Sequence, residues 1–288
     1  MTPSGLRALA ARHGIRPKKA LGQHFLIEPA LARRIAELAE VGPDSHVLEV
    51  GAGLGSLTRA LAERGASVLA VEIDPRLAPA LEESVGPFDL VRIEVADALR
   101  ADWASLLDHP GPWTMAANLP YNVAVPVVMR LLMEEPRIER FLIMVQREVG
   151  ERLAARPGAP QFGALSLRVA YRAESRILRR VSRAVFWPQP NVDSVLVSLT
   201  RRPPPVDVDE EALWTVIDTA FEQRRKTIRN ALARLGLAPK ETGAALAACD
   251  VDPLTRPERL GLPEFACLAA RWLERHADGR SGEGAGDD

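Results

Sequence analysis

The stretch that most narrows what this chain can become is Ser45-His-Val-Leu-Glu-Val50, which runs without a break into Gly51-Ala-Gly-Leu-Gly55 and the helical pattern of Ser56–Arg64. A short apolar run bounded by glycine reads as a strand, and the residues beyond it carry helix spacing. Glycines in the turn let backbone come close to a ligand, and the following helix offers unpaired N–H groups at its start. Strand, glycine turn and helix therefore make a nucleotide-approach loop. Its Gly-x-Gly-x-Gly spacing is not the Gly-x-Gly-x-x-Gly of dinucleotide sites, which argues against a nicotinamide dehydrogenase.

Three further strands repeat the theme. Ser67-Val-Leu-Ala-Val71 ends in Glu72-Ile-Asp74, and Glu72 lies 21 positions beyond Gly51. That is close to the ~20-residue offset at which an acidic side chain accepts ribose hydroxyls. Leu90-Val-Arg-Ile-Glu-Val95 ends at Asp97, a candidate acceptor for an adenine amino group on the same ligand. Trp113-Thr-Met-Ala-Ala117 leads into Asn118-Leu119-Pro120-Tyr121, at the strand end where open α/β sheets place ligands. The Asn118 side-chain oxygen and the Leu119 carbonyl, beside a stiff Pro120, are acceptors for the two N–H groups of an exocyclic amine. Tyr121 offers a face on which a base can stack. Alone the tetrapeptide is an ordinary turn. Four strand ends in succession, each with a suitable group, are not.

These residues carry a family resemblance. Glu49-Val-Gly-Ala-Gly-Leu-Gly55, Glu72, Asp97 and Asn-Leu-Pro-Tyr together resemble class I methyltransferases that use S-adenosylmethionine. Leu21-Gly-Gln-His-Phe-Leu26, Gln146-Arg-Glu-Val149, Phe186-Trp-Pro-Gln-Pro-Asn-Val-Asp-Ser194 and Phe221-Glu-Gln-Arg-Arg-Lys-Thr-Ile-Arg-Asn-Ala-Leu232 resemble the KsgA-type small-subunit rRNA adenine N6-dimethyltransferases, from about Lys18 to about Trp272. His24 stands where that family usually has Asn, and Gln189 interrupts a run that is usually proline. The resemblance implies a Rossmann-like, mostly parallel α/β sheet with helices on both faces, plus a small C-terminal all-helical domain. It implies that His24, Leu26, Gly51, Gly53, Glu72, Asp97 and Asn118 bind the donor. Asn118, Leu119, Pro120 and Tyr121 would position the target adenine, with Phe186 as the wall facing Tyr121. The implied reaction adds two methyl groups to N6 of each of two adjacent adenosines near the 3′ end of 16S rRNA. Asn118 and Leu119 would accept the amine's hydrogens and turn its lone pair toward the methyl group, by positioning and electrostatics rather than by a strong base.

The formal net charge is −1, so an RNA surface has to be local. Residues 1–27 carry Arg7, Arg12, Arg16, Lys18 and Lys19, with an ordered segment expected around Phe25 and Leu26. A second cluster is Arg172, Arg176, Arg179, Arg180 and Arg183. A third is Arg224, Arg225, Lys226, Arg229 and Arg234, on an expected helix over 224–235. Such runs are commonly solvated faces, but three of them in a near-neutral chain indicate segregated charge. Arg16, Lys18, Lys19, Arg224, Arg225, Lys226 and Arg229 are the expected RNA contacts, to small-subunit rRNA within a pre-30S particle. Arg201-Arg-Pro-Pro-Pro205 reads as a linker. It separates a methyltransferase domain over 1–204 from a helical RNA-binding domain over 205–277, with 278–288 expected to be disordered. Cys249 and Cys267 and the scattered histidines have no metal-ligand spacing, so no metal is expected. With no signal-peptide pattern and no long apolar run, a cytoplasmic, membrane-free protein is the expectation, and the lack of coiled-coil heptads suggests a monomer. Two competing readings are an RNA-binding small-subunit assembly factor with vestigial transfer, and a 23S rRNA adenine methyltransferase. The Arg224–Asn230 segment argues against the latter.

Overall fold

The structure is a computed structural model that describes residues 1–223 and 225–282, with backbone alone for Lys19 and residues 276–282. The chain divides into two compact units, residues 1–151 with 173–201, and residues 152–172 with the chain from 202 onward.

In order, the first unit holds α1 (Pro3–Arg12), β1 (Phe25–Leu26), α2 (Pro29–Leu38), β2 (His46–Val50), α3 (Ser56–Ala62), β3 (Ser67–Glu72), α4 (Ala78–Val85) and β4 (Val91–Val95). It continues with α5 (Trp103–Leu106), β5 (Trp113–Asn118), α6 (Ala124–Glu134), β6 (Ile138–Gln146), α7 (Arg147–Leu153), β7 (Ala173–Val181), β8 (Phe186–Trp187) and β9 (Ser194–Arg201). Seven strands form one sheet in the order β4-β3-β2-β5-β6-β9-β7. From β4 to β6 they run parallel, and β9 and β7 close the edge in antiparallel pairs. Leu48, Ala70, Met115 and Ile143 on the central strands are fully buried, as strands covered on both faces require. The chain steps outward from β2 to β3 and β4, then returns to the other side of β2 for β5. That reversal opens a crevice between the carboxyl ends of β2 and β5, where a sheet of this kind takes its ligand.

Two elements differ from the sequence reading in this unit. The basic N-terminal stretch is not only an arm. It contains α1, capped by the Thr2 side chain, with Leu6, Leu9 and Ala10 packed with Leu54, Leu77 and Ala80. The i, i+3, i+4 spacing of those three residues is an amphipathic stripe. β7 is longer than its apolar end at Ile177–Val181 suggests, because β9 pairs with it from Ala173↔Arg201 to Val181↔Ser194, with a register shift between Ile177 and Arg179. Its surface arginines mask the alternation.

The second unit is helical: α8 (Ala164–Arg172), α9 (Glu210–Glu222), α10 (Ile228–Arg234), α11 (Pro239–Ala248) and α12 (Leu262–Gly282). Leu213, Val216, Ile217, Ile228, Leu232 and Phe265 form its core together with Phe162, Leu167 and Tyr171. Residues 152–172 thus join the helical unit rather than the sheet. The chain crosses between the units three times: at the proline linker, at the junction of α8 with β7, and inside α7, where no breaker announces it. The helix expected at 224–235 is shorter. Thr227 sits in an extended conformation as the N-cap of α10, so Arg225 and Lys226 lie in the turn before it. Cys249 and Cys267 form a disulfide that ties the end of α11 to α12, with 5.7 Å between their Cα atoms. α12 extends to Gly282, past the boundary expected at 277; residues 283–288 of the expected disordered tail lie outside the described residues. Among the described residues, no helix is long and apolar enough to cross a membrane.

Candidate active site

A cleft of about 990 Å³, counting its solvent-open part, sits over the carboxyl ends of β2 to β5. His24, Leu26, Gly51, Gly53, Glu72, Asp97, Asn118, Leu119, Pro120 and Tyr121 all line it. The glycine loop is shaped by three left-handed residues, Gly51 with φ +78°, Gly53 with φ +60° and Gly55 with φ +81°. A Cβ on Gly51 would stand 3.0 Å from Pro120 Cδ, and one on Gly53 would stand 3.0 Å from the Phe25 ring. Only glycine satisfies both the backbone and the space here.

The Gly53 N–H donates to Glu72 Oε2 at 2.9 Å, and the Asp74 N–H donates to Glu72 Oε1 at 3.0 Å. Burial pushes the Glu72 carboxyl up, and these N–H groups oppose the rise. Each oxygen retains a second lone pair for an incoming hydroxyl. Asp97 is half-buried at the end of β4 and accepts from the Leu99 N–H at 2.9 Å. Asp74 is clasped by the Arg76 guanidinium and by Gln23 Nε2 at 3.0 Å, and the arginine first holds its carboxyl well below the usual range. The Lys18 N–H donates to Gln23 Oε1 at 2.8 Å, so Gln23 fastens the segment before β1 to the end of β3.

Asn118 is half-buried, and its amide is anchored rather than turned into the core: Nδ2 donates to the His24 carbonyl at 3.1 Å. That bond assigns Oδ1 the acceptor role. The Leu119 N–H continues the ladder to Met144 O at 3.1 Å, and its side chain is buried, which sets the turn rigidly. Tyr121 shares a 2.6 Å hydrogen bond with the Ser194 hydroxyl.

Phe186 is a correction. It is 3% exposed, is absent from the cleft lining, and packs with Val181 and Leu196 in the sheet's core. The pairing of β1 with β8 sets Leu26 opposite Phe186 and Phe25 opposite Trp187, and alternation along the strand sends Phe186 inward. The ring beside Tyr121 is His24, with centroids 5.4 Å apart and Nδ1 held 2.7 Å from the Pro188 carbonyl. Phe186→Ala should therefore cost about 3–5 kcal/mol of stability and leave the KM within twofold. Thermal melts beside steady-state kinetics check this; an unchanged melt with a raised KM would return Phe186 to the pocket wall.

Sequence reasoning did not assign roles to Glu49, Gln23, Asp74 or Ser194. A signal existed for Glu49, a carboxylate inside an otherwise apolar strand. It is 1% exposed, and its Oε2 has no hydrogen-bond partner among the described residues. Burial pushes its carboxyl up to about 8, and the nearby Glu72 charge adds to the rise.

Of the expected RNA contacts, Arg16, Lys18, Arg225, Lys226 and Arg229 are exposed. Arg224 and the Lys19 side chain lie outside the described residues. Several other arginines of the three clusters are already paired, Arg12 with Glu83, Arg172 with Glu210 and Arg176 with Glu174. The cleft residues fit the S-adenosylmethionine implied by the resemblance: a glycine cradle that a Cβ would fill, Glu72 and Asp97 at neighbouring strand ends, and an unpartnered buried carboxyl.

A family model described as Ribosomal RNA adenine dimethylase matches residues 14–255. The Ribosomal RNA small subunit methyltransferase A of Thermobifida fusca is 50% identical over 275 residues, covering 93% of this chain and 95% of its own. That of Moorella thermoacetica is 43% identical, covering 93% and 96%. Among solved structures, the 23S rRNA methyltransferase ErmE is 28% identical with a TM-score of 0.68, covering 86% of this chain and 99% of its own. A dimethyladenosine transferase from Plasmodium falciparum shares the fold at 22% identity and a TM-score of 0.76, covering 88% and 98%.

Proposed function

The chain belongs to the ribosomal RNA adenine dimethylases, and from that premise we propose that it adds two methyl groups to N6 of each of two adjacent adenosines near the 3′ end of 16S rRNA. The observation that carries the reading is the Asn118 amide, tied by Nδ2 to the His24 carbonyl, so that its oxygen is left to accept. S-adenosylmethionine, when bound, supplies an electrophilic methyl group. Glu72 and Asp97 would hold its ribose and adenine. Asn118 Oδ1 and the Leu119 carbonyl accept hydrogen bonds from the N–H groups of the target amine and favour a pyramidal nitrogen, and the proton displaced at each transfer passes to solvent. Tyr121 stacks on the adenine, its hydroxyl pinned by Ser194. Fixed acceptors raise the rate by holding the reacting atoms in line, an effect worth about 7–11 kcal/mol at best. Each adenosine leaves its stack to enter the cleft.

The likeness to a 23S enzyme at 28% identity is the weaker guide beside relatives at 41–50% named for the small subunit. The substrate is small-subunit rRNA within a pre-30S particle, met in the cytoplasm by a monomer. A labelled-methyl assay on undermethylated small subunits, naked 16S rRNA and 23S rRNA tests this; transfer confined to 23S rRNA overturns it. Arg16, Lys18, Lys19, Arg224, Arg225, Lys226 and Arg229 meet phosphates. Arg225→Glu with Lys226→Glu should weaken RNA binding across all sequences and flatten the salt dependence by about one unit of slope per lost contact. Binding titrations at several salt concentrations measure that slope; an unaltered slope removes these two residues from the footprint.

A further inference from the structure

We propose that Glu49 is a proton-exchanging residue of the donor cleft, neutral in the free protein and ionised when a cationic ligand enters, its proton passing to solvent. The inference rests on the donor reading above and concerns this chain's own carboxyl.

Glu49 lines the cleft, is 1% exposed, and its Oε2 accepts no hydrogen bond among the described residues. A buried carboxylate with an unpartnered oxygen is costly, and such a group stays neutral instead. The groups facing it give no counter-charge. On α3, Thr58 offers an uncharged hydroxyl, and the Arg59 guanidinium is engaged with the Ser84 carbonyl and the Phe88 ring. On β3, Glu72 carries the same sign, and just past that strand Asp74 is neutralised by Arg76. On β5, Asn118 carries no charge. The Glu49 carboxyl accordingly sits at about 8, raised by burial. S-adenosylmethionine brings two cationic groups, a sulfonium and an ammonium. An opposite charge within ~4–6 Å lowers a carboxyl by about 1–3 pH units. Ligand entry at neutral pH then drives one proton off Glu49. The free protein holds that proton and the complex does not, so affinity rises as pH rises.

Isothermal titration of the whole protein in buffers of different ionisation enthalpy, from pH 6 to 9, counts the protons released. We expect release approaching one proton near neutrality, with affinity rising up to about tenfold per pH unit until it levels near pH 8. Three ligands locate the cation: S-adenosylmethionine with both charges, S-adenosylhomocysteine with the ammonium alone, and methylthioadenosine with neither. Release with the first two assigns the ammonium, and release with the first alone assigns the sulfonium. Glu49→Gln, an isostere of the neutral form, should still bind but without proton release and with a flat pH profile. Binding by the wild type with no proton exchange overturns the proposal while leaving the donor reading intact. Release that persists in Glu49→Gln, or occurs with methylthioadenosine, also overturns it. Absence of any binding removes the donor reading and this inference together.

Discussion

Asn118→Ala lowers kcat for methyl transfer about 10²–10³-fold, the scale of losing one preorganised polar contact to a reacting group. The side chain has one job at each end. Nδ2 is spent on the His24 carbonyl at 3.1 Å, and that bond is what aims Oδ1. Alanine removes both the acceptor and its anchor, so the target amine keeps its planar form and its lone pair stays in the ring. Donor affinity should fall by less than about tenfold, or 1.4 kcal/mol, because the glycine loop, Glu72 and Asp97 are untouched. Single-turnover transfer of labelled methyl, measured beside calorimetric donor binding on the same variant, separates the two effects. Turnover within a few-fold of wild type would remove Asn118 from the chemistry.

Gly51→Ala should damage both binding and turnover. Its φ of +78° lies in the left-handed region, which costs a residue with a Cβ roughly 1–2 kcal/mol. The new methyl would stand 3.0 Å from Pro120 Cδ and 3.2 Å from Cγ, closer than that stiff ring can tolerate without moving. Strain therefore transfers from the donor loop to the turn that holds Asn118. We expect donor affinity down about tenfold from the backbone term, and kcat/KM down about 10²-fold once the turn shifts, since a displacement near 1 Å is enough for that. The fold itself should survive, because the change sits at a strand end and not in the core. A variant with normal donor affinity would show that the loop does not carry the ligand.

Much of this site is legible without coordinates. Apolar runs of five or six residues, a glycine turn, and polar groups at successive strand ends are local patterns, and local sterics and periodicity impose them whatever the rest of the chain does. Gly51, Gly53, Glu72, Asp97 and Asn118 could be named that way, and all of them line one cleft. Other features depend on partners far along the chain. Phe186 looked like a pocket wall, but its pairing with Leu26 buries it and leaves His24 beside Tyr121. The lack of a partner for Glu49 becomes visible only when α3 and β3 are packed around it. The crossing inside α7 and the Cys249–Cys267 bond are set by which core claims residues 152–172 and by how α11 meets α12. Spacing along a strand or helix tells a residue which face it occupies; it does not tell what that face meets. Packing between distant segments decides that, because burial and pairing energies are collected only across contacts that the folded chain creates.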